Sequence, residues 1–222
     1  MNPKNRTFVI VAGVVVLIIA AALIAVLATG GSDDSGDSSA SGDSGAEIEQ
    51  TRPVEVTGEA LAPFEDPAAD PAVGQASPVV TGQGFDGTAM TIGGAGDKPT
   101  LLVFLAHWCP HCNREVPRIN ELRDAGRFPS DLNIVGISTG INPGRPNWPP
   151  SKWFKDMDWT YPVIADGVDM DKGTFIGADA YGVDGFPFMV LMDGDGKVVG
   201  RWSGEREPDE VIKLITDNLP AG

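Results

Sequence analysis

The chain has 222 residues and a net charge of −15. That acid excess excludes a nucleic-acid-binding role and argues against docking on anionic lipid. Roughly 150 residues lie from Ala72 onward, enough for one domain with its own core. Met1 to Thr7 carries Lys4 and Arg6 and no acid. Phe8 to Ala28 is uncharged and almost wholly apolar over 21 residues, long enough to cross a bilayer as a helix. The basic flank predicts residues 1–7 in the cytoplasm, a membrane anchor over 8–28 and everything beyond on the outer side of the cell membrane. Val26-Leu27-Ala28 also fits a small-residue cleavage site, so secretion after signal-peptide removal is the alternative. No cysteine stands directly after the span, so no lipoprotein attachment is available there. Residues 29–71 are rich in Gly, Ser, Asp and Pro and are predicted to be a disordered acidic linker, with 47–71 extended over the domain surface or disordered.

Within 72–222, Pro78 to Gln83 and Thr88 to Ile92 have the pattern of two short strands around Phe85-Asp86-Gly87. Gly93 to Lys98 is glycine-rich, but no Gly-Lys-Ser/Thr follows and a strand comes next, so it is a turn rather than a phosphate loop. Thr100 to Ala106 is an apolar run of strand length. Trp108-Cys109-Pro110-His111-Cys112 follows, and then a helical pattern from Asn113 to Ala125 with Cys112, Val116, Ile119 and Leu122 on one face. The pattern predicts a strand over Leu132 to Thr139, a proline-rich loop over Asn142 to Pro150, a helix over Ser151 to Asp158 and a strand over Tyr161 to Ala165. Asp169-x-Asp171-x-Gly173 and Asp193-x-Asp195-Gly196 resemble the start of calcium loops. Neither has a glutamate at the twelfth position, so both are turns. Gly173 to Tyr181 is predicted as a helix with Phe175, Ile176 and Tyr181 on one side. Gly185 to Trp202 is predicted as a β-hairpin opened by Pro187, and Pro208 to Leu219 as an amphipathic helix.

The chemistry concentrates in Cys109-Pro110-His111-Cys112. These are the only cysteines, and His107 and His111 are the only histidines. Cys109 falls where a buried strand hands over to a helix N-terminus, whose free N–H groups and dipole favour a thiolate. That makes Cys109 the nucleophile and leaves Cys112, one turn on, buried on the helix and placed to close a disulfide with it. A tetrahedral metal site would need four ligands to converge from six consecutive residues, which a strand–helix junction forbids.

The order strand, C-x-x-C, helix, strand, helix, strand, helix, X-Pro strand, hairpin strand, helix resembles the thioredoxin fold. Within it the chain is similar to the TlpA-like group of membrane-anchored thiol–disulfide oxidoreductases. The resemblance covers about residues 72–219 and rests on Phe104 to Cys112, Glu115-Val116-Pro117, and Gly185-Phe186-Pro187 running into Leu191 to Gly196. It implies an α/β fold, a central mixed sheet flanked by helices, with an N-terminal strand extension. It implies Cys109 as the attacking and Cys112 as the resolving cysteine. It also implies a cis Pro187 facing them, and a Phe186 backbone that pairs with an incoming substrate segment. Trp108, Pro110 and His111 support the pair, and the His111 ring can hydrogen-bond toward Cys109 or place positive charge near it. Phe188 stands where the family usually has a small hydroxyl residue. Val103 stands where many relatives bury an acid, which leaves no evident proton acceptor for Cys112.

The expected function is extracytoplasmic disulfide exchange with protein thiol and disulfide substrates, without cofactor or metal, recycled by a membrane electron-transfer partner. The alternatives are a dedicated reductant in cytochrome c assembly and a non-enzymatic copper- or haem-handling protein that uses the cysteines as ligands. Pro-His between the cysteines points to a potential more oxidising than thioredoxin's but short of DsbA's, which leans toward an oxidase or isomerase.

Overall fold

The computed structural model describes residues 49–219. At its centre is the apolar run after the glycine turn, strand β4 (Thr100–Leu105). It pairs in parallel with β5 (Asn133–Ser138), and β5 in parallel with β6 (Val163–Ala165). On its other side it pairs antiparallel with β9 (Phe188–Met192), which turns back into β10 (Val198–Ser203). The sheet order is β10-β9-β4-β5-β6, a mixed sheet. Residues alternate between its faces with period two. Leu101, Val103 and Leu105 face one core and Leu102 and Phe104 the other.

The first face is covered by α1 (Pro110–Asp124) and by α4 (Pro208–Asn218), the latter through Val211 and Ile215. Cys112, Val116, Ile119 and Leu122 are the buried stripe of α1, as the spacing predicts. α2 (Pro150–Asp156) adds Trp153 and Phe154 to the same core.

The second face is covered by a separate antiparallel sheet of β1 (Glu55–Thr57), β2 (Val79–Gln83) and β3 (Ala89–Ile92), together with α3 (Ile176–Ala180). Here the structure corrects the predicted linker: from residue 49 onward, part of the 29–71 stretch belongs to the fold. Glu55–Thr57 pairs with β2, and Leu61 and Phe64 are buried on the sheet. Burying a side chain of this size contributes about 1.5–3 kcal/mol. The N–H groups of Leu61 and Phe64 donate to Ala180 O and Gly182 O, each at 2.9 Å. Asp70 meets Arg201 in an ion pair with both side chains at 1% exposure or less. The same guanidinium donates to Ala62 O and Tyr181 O. The prolines and acids that suggested disorder hide three well-spaced apolar residues, Val54, Leu61 and Phe64, which join the core on this sheet face.

The predicted helix over Gly173 to Tyr181 begins only at Ile176. Thr174–Phe175 is instead strand β8, paired with β7 (Val168–Asp169). The Asp169 carboxylate accepts the N–H groups of Asp171 and Lys172, and Asp193 accepts that of Lys197, so both acidic motifs close turns. The glycine-rich segment is a turn as well. Gly93 has φ +78°, and a Cβ there would lie 2.0 Å from Pro78 O. The anchor predicted over residues 8–28 lies outside the described residues. Among those described, no helix is long and apolar enough to cross a membrane.

Candidate active site

At the end of β4 the chain turns through Ala106 to Trp108 and enters α1 with Cys109 as its N-cap and Pro110 in its first turn. The Cys109 N–H donates to Ala106 O at 3.0 Å and its carbonyl accepts from Asn113, so the residue is fixed on both sides. Both thiols are free. Cys109 is more enclosed than its place at a helix start suggests, at 6% exposure, while Cys112 has none.

The two sulfurs have opposite acidities. The Cys112 thiol donates to Cys109, and the backbone N–H groups of Cys112 and His111 point at it. Against the cost of burial, these hold Cys109 down at about 5. Charge on His111 is the smallest of the stabilising causes. Burial pushes the Cys112 thiol far up. Donation to Cys109 and the nearby Glu115 push the same way.

The Phe186–Pro187 peptide is cis, and the Phe186 carbonyl lies 3.3 Å from Cys109 Sγ. A carbonyl oxygen accepts only from the thiol form, so this contact belongs to the protonated sulfur. Pro187 is buried and Phe186 half-buried. Phe188 packs, with its ring against Phe64 and Phe104, and takes no part at the sulfurs.

His111 departs from expectation. Its exposed ring turns away toward the loop before α4, with Nδ1 at 3.1 Å from Glu205 Oε1 and 2.9 Å from Arg114 Nη2. Arg114 also binds Glu205 through Nε at 2.8 Å, and these partners hold the Glu205 carboxyl down at about 2. His107 is buried and structural. The Asn142 N–H donates to its Nε2, so Nδ1 carries the proton and donates to Pro146 O at 2.8 Å. Burial lowers its pKa. The Trp108 indole donates to Gly140 O at 2.6 Å. A Cβ on Gly140 (φ +60°) would lie 2.9 Å from the Phe186 ring.

One functional residue escaped the sequence reading. Glu115 lies three residues past Cys112, on the same face of α1, with no exposure. Its Oε2 accepts the Arg206 N–H at 2.9 Å, and its Oε1 has no hydrogen-bond partner. Burial pushes it up to about 7. A carboxyl with that acidity and a free oxygen, near enough to Cys112 to raise its thiol, can serve as the proton acceptor that Val103 does not provide. The sequence signal was an acid on an otherwise apolar stripe. Among the described residues, no three His, Cys, Asp or Glu side chains are grouped to hold a metal ion.

An acidic sulfur paired with a fully buried one of raised pKa, on a strand-to-helix turn facing a cis-proline, defines a thiol–disulfide oxidoreductase. The chain belongs to the thioredoxin-like family, whose domain model matches residues 86–218. Thiol-disulfide oxidoreductase ResA of Geobacillus thermodenitrificans is 28% identical over 149 residues, 67% of this chain and 79% of the relative. Thiol:disulfide interchange protein DsbE of Escherichia coli is 30% identical over 138 residues, 60% of this chain and 64% of the relative. The crystal structure of a DsbE-type thiol:disulfide interchange protein from Chlorobium tepidum superposes with a TM-score of 0.52. It covers 66% of this chain and 96% of its own at 22% identity, a likeness that shows the fold.

Proposed function

We propose that Cys109 and Cys112 exchange disulfides with protein substrates on the outer side of the cell membrane, to which residues 8–28 anchor the domain. The observation that carries the exchange is the split in acidity between two sulfurs one turn apart, with Cys109 at about 5 and Cys112 pushed far up. The Cys109 thiolate attacks a substrate disulfide and one substrate thiolate leaves. Cys112, losing its proton to Glu115, then attacks Cys109 and releases the second thiolate. Two electrons pass to the substrate, and the reverse sequence oxidises a substrate dithiol. The substrate backbone pairs along Gly185-Phe186, and a membrane electron carrier resets the pair.

The acidity supports the oxidising direction. At pH 7, a thiol at about 5 stabilises the reduced form by roughly 2.7 kcal/mol relative to a group with ordinary thiol acidity. That is about 60 mV toward oxidising, less than half of the ~150 mV between thioredoxin and DsbA. An intermediate potential suits an oxidase or isomerase better than a dedicated reductant.

A Cys112→Ser variant should accumulate mixed disulfides with extracytoplasmic proteins and a Cys109→Ser variant should not. Equal trapping by both would refute the assigned roles. Protease added to intact spheroplasts should release a soluble fragment of the domain, and full protection would refute the topology.

A further inference from the structure

The surroundings of Phe186 carry opposite charges. The Trp108 ring lies edge-on to the Phe186 ring at 6.3 Å, and the Arg145 guanidinium stacks over Trp108 at 4.5 Å. Arg145 is exposed, and no carboxylate lies within ion-pairing distance of it among the described residues. Its place is fixed by its neighbours. The carbonyl of Pro146 accepts from buried His107, and Asn147 donates to His107 O at 2.8 Å. A guanidinium held over a ring without a carboxylate partner still has N–H groups to offer an incoming carboxylate.

Phe186 also lines a pocket of about 220 Å³ with Phe175, Val183 and Asp184. Asp184 is exposed and has no ion pair among the described residues. Asp179, which accepts from the Thr174 hydroxyl, lines the same pocket, and two carboxylates beside the Phe175 and Phe186 rings fit a lysine or arginine side chain, stem against the rings and charge at the acids. Both features border Phe186, whose carbonyl lies 3.3 Å from Cys109 Sγ.

We propose that these two features select the substrate: an extended segment with an acidic side chain to one side of its reactive cysteine, at Arg145, and a cationic side chain to the other, in the Asp184 pocket. The inference rests on the reading that substrate pairs along Gly185-Phe186. In an extended chain the side chains that share the cysteine's face stand two residues away on either side. The discriminating substrates are therefore Glu-Gly-Cys-Gly-Lys and Lys-Gly-Cys-Gly-Glu, each as its symmetric disulfide. They carry equal net charge, so long-range attraction to the acidic chain cancels between them.

The reduced full-length chain would be mixed with each, and its oxidation followed by Trp108 fluorescence. Each turnover leaves one protein disulfide and two peptide thiols. Exposed charge pairs are individually weak, and two acting together should make one order react about fivefold faster at low salt. High salt should erase the difference. An Arg145→Glu, Asp184→Lys double variant should prefer the opposite order. Ranking two peptides on the same protein cancels any change in Cys109 acidity. An Arg145→Gln variant, its fold checked by Cys109 alkylation, should lose most of the preference even if the double variant fails to fold. Rates within twofold of each other on the wild-type chain, or an unchanged ranking in the variants, would overturn the proposal. No exchange with either peptide would overturn the exchange reading itself, and the proposal with it.

Discussion

Cys109 and Cys112 belong to the same turn of α1, yet their surroundings differ in kind. Around Cys109 lie backbone N–H groups, the Cys112 thiol and, farther out, the exposed cluster of His111, Arg114 and Glu205. Around Cys112 lie the core side chains of β4 and α1 and the buried carboxyl of Glu115. The outer sulfur is set up to ionise and the inner one to hold its proton until an acceptor takes it. The contrast shows that unequal burial and the bond between the two sulfurs set them apart, with the N–H groups at the helix start completing the effect on Cys109.

Removing the buried acceptor should break this contrast most. Glu115→Gln leaves Cys109 ionised but takes away the group beside Cys112. We expect resolution of the mixed disulfide to slow about a hundredfold at pH 7, measured by acid quench, within the usual range for a positioned base. An unchanged rate would mean that solvent takes the proton. The same variant has a signature in stability. Glu115 has a raised pKa, about 7 against an ordinary 4.5, so its protonated form favours the fold. That contribution is fully present below about pH 4.5 and is lost as pH rises through about 7. Cys109 has the opposite sign: its contribution is lost as pH falls through about 5. Between pH 5 and pH 8 the reduced wild-type chain should therefore lose about 2 kcal/mol relative to Glu115→Gln in urea titrations. Because Cys109 is common to both chains, its contribution cancels.

The exposed side should matter least. His111→Ala should raise the Cys109 pKa by under about 0.5 unit and move the potential by under about 15 mV in the reducing direction. Thiolate absorbance and equilibration with glutathione measure the two. A shift above about one unit would show that the ring works on Cys109 despite its contact with Glu205.

Much of the fold was legible because its signals are local. The run Thr100 to Leu105, the cysteines at the start of a helical pattern and the Asp193 to Gly196 turn each state their structure within a few residues. Glu115 was legible only in part. Its position on the stripe shows, but its protonation depends on Arg206, 91 residues away, and on the packing around it. His111 was read only in part for the same reason: its charge does favour the Cys109 thiolate, but its ring meets Glu205, 94 residues further on.

By itself, then, the sequence determined the strand–turn–helix that carries Cys109, the helical face that buries Cys112 and the hairpin behind Pro187. Periodicity and turn chemistry act over one or two turns of chain, and no distant residue is needed to read them. Tertiary structure alone decided that residues from 49 onward close one face of the sheet through Leu61, Phe64 and the Asp70–Arg201 pair. It also decided that burial raises the Glu115 carboxyl to about 7 near Cys112 and that His111 faces Glu205. Burial and ion pairing depend on which distant segments meet, and a carboxyl acquires its acidity only from what is packed against it.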